Sequence, residues 1–159
     1  MRKIFLLMVV FVNFYNIYNI QAQEKGFGIG VIIGEPTGLS AKYWLDKNKA
    51  LDFGLAYSFV QSVNALSIHC DYIYHDYDVI KSDLRIPVYY GFGARLRVGN
   101  DDKNALGARG VIGILYLDEQ YPFDVFAEIA PVFNLFPKTS LQVDLAIGAR
   151  YYFRRQNGL

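Results

Sequence analysis

The sequence predicts an all-β fold, an eight-stranded antiparallel up-and-down barrel behind an N-terminal signal peptide. Three observations lead there. Apolar residues recur at every second position through most of residues 26–153, the pattern of strands whose two faces meet different environments. Clusters of Gly, Pro, Asn and Asp cut that pattern into eight pieces. The 13 Tyr and 12 Phe among 159 residues are heavy aromatic usage, which favours strand over helix.

The chain opens with Arg2 and Lys3, runs through an apolar stretch over 4–12 and reaches Gln21-Ala22-Gln23. A basic start, an apolar stretch of about 7 to 15 residues and a small residue at the cut is the order of a secretory signal. Cleavage is expected after Ala22, leaving 1–22 as signal peptide and 23–159 as the mature domain. A retained anchor is disfavoured, because the run falls short of the roughly 20 residues of a spanning helix. No later run reaches that length, so a membrane crossing requires a closed barrel. Cys70 is the only cysteine, which excludes an internal disulfide and leaves no lipidation site near the cut.

The first strand is expected over 26–34 (GFGIGVIIG), ended by the turn Glu35-Pro36-Thr37-Gly38, where proline presets φ. The second covers 39–45 and stops at Asp46-Lys47-Asn48; the third runs over 50–59 and the fourth over 65–75. The longest irregular piece, DYDVIKSDL, precedes a fifth strand over 85–98. The strongest turn cluster, 99–104, leads to a sixth over 105–117, followed by 123–135 and 141–153. The last, LQVDLAIGARYYF, alternates almost without fault.

Written out by parity, one face is apolar: Ile29, Val31, Leu39, Tyr43, Phe53, Tyr57, Phe59, Ile68, Cys70, Tyr72, Tyr90, Ile112, Val125, Phe133 and their neighbours. The other carries Lys42, Asp52, Ser67, His69, Asp71, Arg95, Arg109, Asp124, Glu128, Asp144 and Arg150, with most of the glycines. A soluble lipocalin-like barrel binding an apolar ligand would turn the apolar face inward. A transmembrane barrel turns it to lipid. A water-facing strand surface favours Thr, Lys, Glu and Ser, whereas glycine there weakens the strand. Glycine with sparse charge suits a narrow lumen, and aromatics near strand ends suit two membrane interfaces. The transmembrane barrel is therefore preferred.

The segments GIGVIIGEPTGLSAKYWLDKNKALDFGLAYSF, DYIYHDY, PVYYGFGARL, FDVFAEIAPVFNLFP and AIGARYYF resemble a family of small outer-membrane β-barrel proteins of Gram-negative bacteria without an assigned activity. In fold that family is similar to the eight-stranded transmembrane domain of OmpA. The resemblance implies a fold and a location, the cell outer membrane, and the assembly machinery as a partner during biogenesis; it implies no activity. Such barrels usually end on a terminal Phe, whereas Phe153 is followed here by six residues. The longest connection would fall on the periplasmic side, the reverse of the usual arrangement.

An eight-stranded interior is just wide enough to be filled by side chains. Lys42, Arg95, Arg109 and Arg150 are thus expected to pair with Asp52, Asp71, Asp124, Glu128 and Asp144 in a buried network that plugs and registers the barrel; a gated ion path is the functional alternative. No catalytic residues, cofactor or metal are assigned. Ser67, His69 and Asp71 are the residue types of a triad, as a lipid-modifying barrel enzyme would need, but at about 6.6 Å per two residues along one strand they stand too far apart for a relay. His75, beside Asp76 and Asp78, reads as part of a solvated turn, Trp44, on the lumen parity near a strand end, as an interfacial or capping residue and Cys70, on the lipid parity, as a buried inert thiol. Lys+Arg 16 against Asp+Glu 15 lacks the basic excess of a nucleic-acid binder, and a monomer is expected.

Overall fold

A computed structural model describes residues 26–35, 37–58, 65–99 and 104–153. The signal over 1–22, Pro36 of the first turn, Phe59, most of the 99–104 cluster and the tail after Phe153 lie outside the described residues. Eight strands close into one antiparallel barrel in sequence order, β1 Phe27–Glu35, β2 Thr37–Trp44, β3 Lys49–Ser58, β4 Ala65–Asp76, β5 Val88–Gly99, β6 Ala105–Leu117, β7 Phe123–Phe136 and β8 Ser140–Phe153. Closure is made by β1 against β8, from Phe27 opposite Phe153 to Glu35 opposite Leu145. No edge is left to template pairing with another chain.

Burial alternates as the parity requires; β4 reads buried and exposed in strict turn from Ala65 to His75. Outward residues such as Ile29, Val31, Leu55, Ile68, Ile112, Val143 and Ile147 are exposed, while Lys42, Asp71, Arg95, Asp124 and Arg150 are buried. The arrangement excludes the apolar ligand cavity of a soluble barrel, whose greasy residues would point inward.

The strand expected from residue 85 begins at Val88. Pro87 has no N–H to give, yet the Pro87 and Arg85 carbonyls still accept from the Leu115 and Leu117 N–H groups at 3.0 Å each, so the segment follows β6 through its carbonyls. Farther along, the β6–β7 register shifts between Leu106 and Gly107. The turns are held by side chains. The Thr37 hydroxyl accepts the Gly34 N–H at 3.2 Å and donates to the Gly34 carbonyl at 2.8 Å, while Gly34 takes φ 149°, a conformation other residues rarely adopt. Asp46 accepts the Asn48 and Lys49 N–H groups at 2.8 Å, and Asp118 those of Gln120 and Tyr121 at 2.9 and 2.7 Å.

The interior is not uniformly polar. At the near end, where the first and last strands begin and finish, Trp44, Ala50, Ile73, Tyr89, Leu115, Leu117 and Tyr152 belong to an apolar cluster inside the barrel that continues deeper through Phe126, Val111, Ile32, Ala130 and Ala146, with Tyr77 packed against it. The inward face, expected to carry mainly glycine and sparse charge, thus also holds an apolar cluster that includes the near mouth.

Candidate functional site in the barrel lumen

Inward positions on a narrow barrel leave room for a long side chain only where a neighbouring strand offers little bulk. Glycine supplies that space. Gly28 lies opposite Tyr152 and Gly113 opposite Tyr89, where an added Cβ would stand 2.6 Å from Tyr152 Cε1 and 2.5 Å from the Tyr89 ring. Gly54 lies under the His69 ring and Gly93 beside the Asp71 carboxylate. The lumen glycines and the bulky lumen residues are two halves of one packing pattern.

The nine expected ionic residues fall into three groups. In the first, Arg150 bridges two carboxylates, with Nη1 donating to Asp52 Oδ1 at 2.6 Å and Nε to Asp124 Oδ1 at 3.0 Å. Its guanidinium lies 4.0 Å from the Phe126 ring centroid, and the Tyr152 hydroxyl donates to Asp124. Lys42 Nζ lies 3.7 Å from Asp52 Oδ2 and 3.2 Å from His75 Nε2, above the rings of Trp44 and Tyr89.

In the second group, Arg109 reaches Asp71 with Nη1 and Glu128 Oε1 with Nη2 at 2.7 Å, and the Tyr89 hydroxyl donates to Glu128 Oε2 at 2.7 Å. The third group is nearer the far end. There Arg95 Nη1 grips both oxygens of Asp144 at 3.0 and 2.8 Å while Nη2 donates to Gln142 at 2.9 Å. The charge-assisted bonds offset the desolvation of ions that are almost wholly out of water.

Ser67, His69 and Asp71 are all buried in the lumen, and the Asp71 carboxylate is taken by Arg109, so the three residue types of a triad stay inside the barrel. Among the described residues no group of three or more His, Cys, Asp or Glu is placed to hold a metal.

Several residues differ from expectation. His75 is fully buried, because it lies on the inward parity of β4 with its ring against those of Trp44 and Tyr89; Asn48 O accepts the His75 N–H at 2.6 Å, and Asn48 Nδ2 donates to His75 O at 3.0 Å. It is no solvated turn residue. Cys70 faces outward and is exposed, not buried, since its parity is that of the apolar wall. Trp44, by contrast, lies in the lumen as its parity implies, its ring 4.3 Å from that of His75. Tyr89, Phe126, Asn134, Gln142 and Tyr152 complete the lumen bonds and were not singled out by sequence; inward parity was their only signal.

No protein-family profile and no curated protein matches the chain. Two solved structures share its fold. The N-terminal β-barrel domain of Pseudomonas aeruginosa OprF superposes with a TM-score of 0.57 at 17% identity, covering 80% of this chain and 96% of that one. Neisserial surface protein A (NspA) superposes at 0.51 with 16% identity, covering 80% and 93%.

Proposed function

We propose that the chain is an integral outer-membrane barrel with a closed, ion-paired lumen and a structural or interaction role in the cell envelope, acting as a monomer after removal of residues 1–22. One observation carries this reading. The apolar residues lie on the outside all round the barrel, while the buried ions meet inside, an arrangement that is stable in lipid and unfavourable in water. The fold shared with OprF's barrel domain and with NspA supports it.

Outer-membrane barrels remain folded in cold denaturing detergent, so the expected result is recovery of the tagged chain in the outer-membrane fraction, with an unheated gel band that migrates faster than the heated one. In planar bilayers the purified protein is expected to be silent, because the Arg150 and Arg109 groups and the apolar near-end cluster occupy the lumen. Recovery in the soluble periplasm without a band shift sinks the membrane reading; steady single-channel currents sink the closed lumen.

A further inference from the structure

Of the cations in the described strands, Lys42, Arg95, Arg97, Arg109 and Arg150 point inward and Lys49 alone points outward. It stands at the first residue of β3, on the near rim, directly opposite Tyr74. The wall around it is aromatic: Tyr43, Tyr72, Tyr74 and Tyr90 are all outward and exposed, with the Tyr74 and Tyr90 ring centroids 5.7 Å apart. A shallow groove of about 460 Å³ opens there, lined by Asp46, Lys47, Asn48, Lys49 and Tyr74.

Tyrosines mark the depth of headgroups in a bilayer, and a lysine at that depth lays its stem along apolar surface and lifts its ammonium to the phosphates. Asp46 is the groove's one carboxylate. Its Oδ1 is engaged by two backbone N–H groups and its Oδ2 sits 3.6 Å from Lys49 Nζ, with both side chains about half exposed. Such a pair is weak and leaves the groove, with Lys47, one net positive charge.

Resting on the membrane reading above, we propose that this groove binds a net-anionic phospholipid of the periplasmic leaflet, its phosphate held by Lys49 Nζ and the Tyr74 hydroxyl and its chains lying along Leu51 and Tyr72. The full chain in mild detergent is offered phosphatidylglycerol or phosphatidylcholine, and bound lipid is counted by native mass spectrometry. Wild type is expected to prefer phosphatidylglycerol about fivefold, the worth of one cation at a membrane surface. Lys49→Gln loses the preference, and Lys138→Gln, at the opposite end, keeps it. No preference in wild type, or an undiminished one in Lys49→Gln, overturns the proposal. The unheated gel shift is read on the same samples: its absence in wild type indicts the membrane barrel itself, whereas its presence with equal binding indicts the lipid site alone.

Discussion

Arg150 holds two carboxylates from different strands, so its loss strands both. Arg150→Met leaves Asp52 buried with only the longer Lys42 contact and Asp124 with only the Tyr152 hydroxyl, and is expected to cost about 3–5 kcal/mol, measured as a lower urea midpoint for the loss of the fast-migrating band. Two glycines of one strand give a sharper contrast. Gly113→Ala drives a methyl into the Tyr89 ring and should cost about 1–3 kcal/mol. Gly110→Ala points outward, where the added carbon meets only Pro131 Cγ at 3.7 Å, and should be neutral or stabilising by up to about 1 kcal/mol. At the β2–β3 turn, the bond from the Asn48 N–H, with that from Lys49, holds the Asp46 carboxyl below its usual range. A carboxylate depressed by folding contributes stability above its unfolded value, about 3.9, and loses it as pH falls through the folded value. The deficit of Asp46→Ala should therefore shrink as unfolding is measured at progressively lower pH below 4.

At the scale of strands, Cys70 tests the direction of a face. It sits midway along β4 on the outward parity, so in vesicles a membrane-impermeant maleimide should leave it unlabelled until the protein is unfolded. Cys70→Arg should destabilise by about 2–4 kcal/mol. The strands and their faces were legible because a charge marks its face and alternation extends that mark along the whole strand. The apolar cluster was not, since Ile73, Leu115 and Leu117 look the same at an inward position as at an outward one, and only closure shows which ones meet. The inward parity of β4 already buries His75; what the local pattern does not contain is its packing against Trp44 and Tyr89 of other strands. The late start of β5 reflects Pro87, whose carbonyl pairs while its nitrogen cannot.

Across the whole molecule, three of the lumen ion pairs join consecutive strands and three join strands that are not neighbours in sequence: β8 to β3, β6 to β4, and β5 to β8. Asp52 and Asp71 face each other directly across β3–β4, and that hairpin brings no inward Lys or Arg of its own. Their cations arrive from β2, β6 and β8. A β3–β4 hairpin laid alone into a bilayer would carry two like, unpaired carboxylates, each costing about 2.5–3.5 kcal/mol in the hydrocarbon. On the membrane reading proposed above, the β3–β4 hairpin is expected to meet lipid only with β2, β6 and β8 already beside it.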